Sequence, residues 1–369
     1  MPKAQETILE IDLNALKHNF DHLKSKLKKN TKLLAVVKAF AYGSDACEIA
    51  KYLQELQVDY FAVAYVNEGI VLREAGIKTP ILVLHPQIVN FTDLISHCLE
   101  PSLYNATVLN QFIKVASAKN QKHYPIHIKF NTGLNRLGFS ENDVDYAVSK
   151  INEAACVKVV SIFSHLAASE DLMEKSFSLK QINSFKSIAK KFNKKIGYKP
   201  LMHICNTSGI LNYPEAHFDM VRSGIGLYGF GNSKTESAHF IPIASLKTII
   251  SQIHLIKKDE SVGYNRAFKS ETFMKIATLP IGHADGISRI YGNERGFVIV
   301  NGKKATIIGN VCMDMIMVNI TGIDCKEGDE VIIFGSSATS AEGLAEAANT
   351  ISYELITSIS QRVKRILIK

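Results

Sequence analysis

Residues 33–45 read LLAVVKAFAYGSD, an apolar run that closes on a lysine and is followed by a tyrosine and a glycine. Leu33, Leu34, Ala35, Val36 and Val37 form a short segment rich in aliphatic side chains with no polar alternation, the pattern of a strand buried on both faces. Lys38 ends that strand. An ammonium group taken out of water is costly unless its charge is paired or lost, so the position calls for a reason.

Working outward, the same texture repeats. From residue 31 to about 232, short apolar runs alternate with helical patterns. The strand candidates are KLLAVVK (32–38), YFAVAYV (60–66), PILVLH (80–85), CLEPSLY (98–104), YPIHIKF (124–130), VKVVSIFSH (157–165), LMHICN (201–206) and HFDMVRSG (217–224). Amphipathic stretches such as DACEIAKYLQEL and ATVLNQFIKVASAK lie between them. Strands that alternate with helices in this way predict a (β/α)8 TIM barrel over residues 1–232. After residue 233 the pattern becomes strand-rich, and Asn301-Gly302 within GFVIVNGKKATIIGNV marks a hairpin turn. Residues 233–369 therefore read as a C-terminal, mostly-β domain that closes on one long helix over 340–360. The segment 1–12 carries a further strand, TILEIDL, which stands outside the barrel set and is a candidate to pair with that second domain.

Composition narrows the class. The 369 residues are 46% hydrophobic and 21% charged, an ordinary globular balance. No apolar run reaches the ~20 residues that span a bilayer, and the N-terminus lacks the pattern of a secretory leader. The expected location is the cytoplasm, with no membrane partner. Six scattered cysteines without a C-x-x-C pair read as reduced thiols, with no metal site expected. The net charge of +8 sits largely in clusters such as KSKLKKN, which read as solvated helix faces rather than a nucleic-acid surface. A modest positive field also suits an anionic small molecule.

Barrel enzymes carry their chemistry at the C-terminal ends of strands. There this chain puts Lys38 after the first strand, Arg136 after the fifth and His165 at the end of the sixth. Asn206 and Thr207 follow the seventh; Arg222, Gly224 and Ile225 follow the eighth. Loops after the last two strands are where such barrels hold a phosphate on backbone N–H groups, and NTSG and RSGIG supply small residues there. A phosphate cradle beside a rim lysine suggests pyridoxal phosphate (PLP), whose aldehyde condenses with a desolvated lysine. Taken singly, each residue has an ordinary reading: a strand-end lysine snorkels, a histidine packs in a core, an arginine pairs with a carboxylate. Their convergence on one rim favours function.

These segments resemble the PLP-dependent alanine racemases, a barrel plus β-domain family, over nearly the whole chain. AVVKAFAYGSD is similar to the motif of the PLP lysine, which implies that role for Lys38 and a place near the cofactor phosphate for Tyr42. IKFNTGLNRLGF resembles the segment with a carbamylated lysine and an arginine, places held here by Lys129 and Arg136. The cofactor residues implied by SHLA, HICNTSG and VRSGIGLYG are His165, Asn206, Thr207, Arg222, Gly224 and Ile225. VGYNRAF implies Tyr264 as a second catalytic base, and GNVCMDMIMV implies that Met313 meets the substrate carboxylate, which Arg136 also helps to hold. ISYELITSISQRVKR implies a phosphate contact for Tyr353. The resemblance further implies a homodimer with shared active sites, Tyr264 and Met313 being supplied by the partner, and interconversion of L- and D-alanine by two bases to supply D-alanine for peptidoglycan. Phe40, Ser44, Asn131 and His283 depart from the residues usual at their positions, and His283 bears on how substrate reaches the site.

Three other activities compete. A broader racemase acting on serine or lysine is the nearest. A fold-related decarboxylase would place a carboxylate opposite the pyridine nitrogen, where RSGIG supplies Arg222. A non-catalytic PLP-binding protein would lack the second domain.

Overall fold

A computed structural model describes residues 6–335 and 339–369; the first five residues of the 1–12 segment lie outside them. The chain divides into two compact units, one of residues 17–41 and 46–241, the other of residues 1–16, 42–45 and 242–369.

In chain order the first nine strands are β1 (Ile8–Asp12), β2 (Lys32–Val36), β3 (Tyr60–Val63), β4 (Ile81–Val83), β5 (Glu100–Leu103), β6 (Tyr124–Lys129), β7 (Val157–Phe163), β8 (Leu201–His203) and β9 (Met220–Ser223). Strands β2 to β9 form one parallel sheet in the order β8-β7-β6-β5-β4-β3-β2-β9. Beyond its last ladder, the Asp219 N–H donates to the Met202 carbonyl and the Arg222 N–H to the Cys205 carbonyl, tying β9 back to β8. The result is the (β/α)8 barrel that the alternating runs predict, with each of the eight apolar runs supplying one strand. Arg222 is a correction: it lies inside β9 rather than after it, because the inward-facing polar side chain is compatible with strand pairing to Leu34.

The second unit holds β10 (Ala244–Ile249), β11 (Gln252–Ile256), β12 (Ser261–Val262), β13 (Phe268–Lys269), β14 (Met274–Leu279), β15 (Phe297–Val300), β16 (Lys303–Ile308), β17 (Ile316–Asn319), β18 (Glu330–Phe334) and β19 (Lys364–Ile368). Apart from the small β12–β13 ribbon they join β1 in a nine-stranded sheet, order β11-β14-β17-β16-β15-β18-β10-β1-β19. Strand β1 runs antiparallel to β10 and parallel to β19. Asn301 and Gly302 form the two-residue turn between β15 and β16, both with positive φ (46° and 78°), as this hairpin class requires.

One further expectation changes in detail. The single final helix is two, Ala341–Ala347 and Ser352–Ser358, because Asn349 adopts φ of 53° and ends the first. The apolar run IASLKTIISQIHLI (243–256) holds two strands with different partners, broken at Ile250 and Ser251.

Candidate active site

The segment after β2 is unlike any pattern in its sequence. Ala39, Phe40, Ala41 and Tyr42 have φ of 53°, 56°, 51° and 53°, one complete left-handed turn directly after Lys38. Left-handed helix costs L-residues roughly 1–2 kcal/mol each, so something must hold it. One support is Glu68, in the first turn of the helix Val66–Glu74 that follows β3. Its carboxylate accepts the Ala39 N–H at 2.6 Å, the Ala64 N–H at 2.6 Å and the Tyr65 N–H at 3.1 Å. The turn ends at Gly43, φ 82°, where a Cβ would lie 2.0 Å from the Ile356 carbonyl oxygen. Arg365 donates to the Gly43 carbonyl at 2.8 Å and to that of Ser44 at 3.0 Å, fixing the exit.

The barrel rim concentrates positive charge. Burial and the Arg136 guanidinium lower the Lys38 amine below its ordinary range, and Glu68 opposes them. Lys129, at the end of β6, is pushed down to about 8 by burial and by the cations Arg136, Arg222 and Lys38. Its ammonium also lies 5.8 Å from the Phe163 ring. Arg136 stands exposed on the loop after β6, which Asn131 shapes by accepting the Gly133 and Asn135 N–H groups at 3.1 and 3.0 Å. Four cations face this space with Glu68 as the nearby carboxylate, an environment made for anionic groups.

Arg222 is buried, and burial lowers it to about 10, still a cation at neutral pH. Its NH2 donates to the Ser164 carbonyl (2.8 Å), to His165 Nδ1 (3.0 Å) and to the Ile204 carbonyl (3.1 Å); its NH1 donates to His203 Nδ1 at 2.6 Å. An arginine only donates, so His165 accepts on Nδ1 and carries its proton on Nε2. Burial, then Arg222, hold His165 well below the usual imidazole range, so it is neutral at pH 7.

The loops after β8 and β9 meet. Asn206 caps the helix Thr207–Asn212 by accepting the Gly209 N–H at 2.9 Å. Thr207 Oγ1 lies 3.1 Å from Ser223 Oγ and accepts the Gly226 N–H at 3.4 Å. Gly224 and Ile225 are buried, and their N–H groups find no acceptor among the described residues. An unmet buried N–H costs ~1–3 kcal/mol, so adjacent ones at the end of a barrel strand mark an anion cradle.

The remaining predicted residues lie on the second unit. Tyr42 and Tyr353 place their ring centroids 5.9 Å apart, and burial raises the Tyr42 phenol. Tyr264 and Met313 line an open hollow of about 730 Å³ with Cys312, Met315 and Met317. Both are outward: Tyr264 is 74% and Met313 59% exposed. The Met313 segment is pinned, its carbonyl accepting the Ala284 N–H at 3.0 Å and that of Cys312 the His283 N–H at 2.9 Å. Arg362 ties the two turns together through Asp285 and Asp314, each at 2.7 Å.

Residues 11–231 match the family model described as "Alanine racemase, N-terminal domain", and residues 243–367 match "Alanine racemase, C-terminal domain". The chain belongs to the alanine racemase family. An alanine racemase of Thermodesulfovibrio yellowstonii is 37% identical over 363 residues, 96% of each chain. A solved alanine racemase of Clostridium difficile 630 has a TM-score of 0.93 at 33% identity, covering 100% of this chain and 97% of that one. The alanine racemase from Bacillus anthracis, solved with bound L-Ala-P, has a TM-score of 0.92 at 30% identity, covering 100% of this chain and 96% of that one.

Several residues of this alanine racemase chain escape a motif reading. Glu68 had a signal, a glutamate three residues into a helix. His127 and His203 had another, a histidine in the middle of an apolar strand. Ser161 and Glu100 had none.

Proposed function

We propose that this chain interconverts L- and D-alanine with PLP, supplying D-alanine for peptidoglycan, and acts as a homodimer whose sites are completed across subunits. The observation that carries the reading is the set of four cations, Lys38, Lys129, Arg136 and Arg222, gathered beside a cradle of buried, unmet N–H groups.

The residues fit PLP. The N–H groups of Gly224 and Ile225, with Thr207 and the Asn206-capped helix start, suit its phosphate. Lys38, depressed by burial and Arg136, is suited to bind it covalently, since only a neutral amine attacks an aldehyde. Arg222 would face the ring nitrogen, and a guanidinium gives up no proton to it. When bound, PLP acidifies the substrate's Cα proton by drawing its electron pair into the ring.

The chain's own groups then move that proton. Lys38 Nζ takes or returns it on one face, and the phenol oxygen of Tyr264 of the partner subunit does so on the other. A phenol titrating near ~10 is a poor base at neutral pH unless its anion is stabilised. His165 supplies that stabilisation: Arg222 occupies Nδ1, so the Nε2–H remains to donate. Arg136 and the N–H of Met313 of the partner subunit hold the substrate carboxylate. Lys129, neutral in an appreciable fraction near pH 8, is suited to carbamylation by CO2, which converts a buried cation among cations into an anion beside Arg136. The exposure of Tyr264 and Met313 on one open hollow supports a shared site.

Assaying the purified protein with PLP against L- and D-alanine, serine and lysine, with released CO2 measured in parallel, tests the reading. Alanine racemisation without CO2 is expected. Preferred turnover of serine or lysine moves the substrate, and CO2 release refutes racemisation.

A further inference from the structure

Behind Arg222, polar side chains run in single file around the barrel interior, one from each consecutive strand. Glu100 comes from β5, His127 from β6, Ser161 from β7, His203 from β8 and Arg222 from β9. His127, Ser161 and His203 have no exposed surface. Glu100 Oε2 lies 2.7 Å from His127 Nε2, and His127 Nδ1 lies 2.6 Å from Ser161 Oγ. Ser161 Oγ is in turn 2.9 Å from His203 Nε2, and His203 Nδ1 is 2.6 Å from Arg222 NH1. Inward-facing barrel layers are ordinarily aliphatic, and a buried polar chain is stable only when every member is satisfied.

The two ends fix the direction of every proton. Arg222 only donates, so His203 Nδ1 accepts and the His203 proton sits on Nε2. That N–H goes to Ser161 Oγ. Ser161 then places its own proton on His127 Nδ1, which leaves the His127 proton on Nε2 for Glu100, a carboxylate that only accepts. The reverse assignment would ask a guanidinium to accept a hydrogen bond. Burial, then Arg222 and His127, keep His203 well below the usual imidazole range, consistent with its single proton. Tyr60 closes the far end: its ring stands edge-on to His127 at 6.0 Å, and its hydroxyl bonds to Glu100.

We propose that Glu100, His127 and Ser161 are positioning residues for Arg222: through His203 they hold its guanidinium in the orientation that would face the cofactor ring and keeps His165 protonated on Nε2. The inference rests on the racemase reading for its consequence and on the geometry alone for its proton register.

Two-bond 1H–15N spectra of the full chain labelled with 15N-histidine test the register, with His127 assigned by the ring lost in His127→Gln. Both His127 and His203 should be neutral with the proton on Nε2. In Ser161→Ala the His127 Nδ1 resonance should move toward that of an unbonded nitrogen, and alanine kcat should fall about tenfold with KM little changed, because the interaction lost is not made with substrate. Ser161→Thr, which restores the hydroxyl, should recover both. Should Ser161→Ala fail to fold, Glu100→Gln reads the same chain: it keeps an acceptor but drops the charge, and the His127 Nε2–H proton should move upfield. Finding either ring protonated on Nδ1 or on both nitrogens overturns the proposal, as does a folded Ser161→Ala with wild-type kcat. The expected tautomers in a wild-type chain that racemises nothing would support the register while removing the functional reading.

Discussion

Replacing Glu68 by alanine should release the turn that presents Lys38. The left-handed residues 39–42 cost roughly 4–8 kcal/mol together at ~1–2 kcal/mol each. Glu68 offsets part of that with its bonds to Ala39, Ala64 and Tyr65. A hydrogen bond to a buried charged group is worth ~1.5–3 kcal/mol, but Ala39 and Tyr65 are exposed and water can replace the carboxylate there. About 1 kcal/mol per bond is the appropriate figure, hence about 3 kcal/mol lost in Glu68→Ala. For a unit of this size that corresponds to a fall of about 6 °C in Tm. The local effect should be sharper: exchange of the Ala39 amide, followed by mass spectrometry of the peptide that contains it, should accelerate by about two orders of magnitude. Glu68→Gln should fall between, because one side-chain oxygen still accepts while the new NH2 faces donors. A Glu68→Ala protein within about 0.5 kcal/mol of wild type, with unchanged Ala39 exchange, would refute the clamp.

Borohydride reduction of the PLP-loaded protein, followed by peptide mapping, should place the pyridoxyl group on Lys38; a label on another lysine contradicts the assignment. Mixing inactive Lys38→Ala and Tyr264→Phe subunits should restore activity, since one site of the hybrid carries both wild-type residues, and no recovery despite demonstrated subunit exchange counts against a shared site. Lys129 titrates at 10.5 in the unfolded reference and at about 8 in the fold, so the folded state binds fewer protons between those values and stability rises with pH across that window. In CO2-free buffer wild type should therefore trail Lys129→Met most below pH 8, by about 3 kcal/mol from this group, the gap closing toward pH 10.5; denaturant unfolding of both proteins reads it, and a pH-independent gap contradicts it. In 13C-bicarbonate a carbamate signal should appear in wild type and be absent from Lys129→Met.

The barrel was legible because each of its strands is a short aliphatic run set off by amphipathic helix, a pattern imposed by burial on both faces. The hairpin at Asn301-Gly302 was legible for a different reason, since few other residue pairs accept two positive φ angles. The left-handed turn after Lys38 was not: Ala39, Phe40 and Ala41 have no intrinsic preference for it, and it exists because Glu68, distant in sequence, and the contacts around Gly43 hold it. The relay behind Arg222 was hidden for a related reason. Glu100, His127, Ser161 and His203 are spread over more than a hundred residues, and only the parallel pairing of β5 to β8 puts them in line. Motif resemblance singled out groups proposed to touch cofactor or substrate and passed over those that hold them.

In the proposed mechanism Lys38 and Tyr264 each serve one face of the substrate. The direct measurement is Cα deuterium incorporation from D2O into L- and D-alanine, read by proton NMR with chiral separation of the products, for wild type and Tyr264→Phe. Wild type should carry either enantiomer to an equal, deuterated mixture. Tyr264→Phe should still exchange the Cα proton of D-alanine, leave that of L-alanine in place, and racemise neither. Equal slowing of exchange for both enantiomers, or undiminished racemisation in Tyr264→Phe, would contradict it.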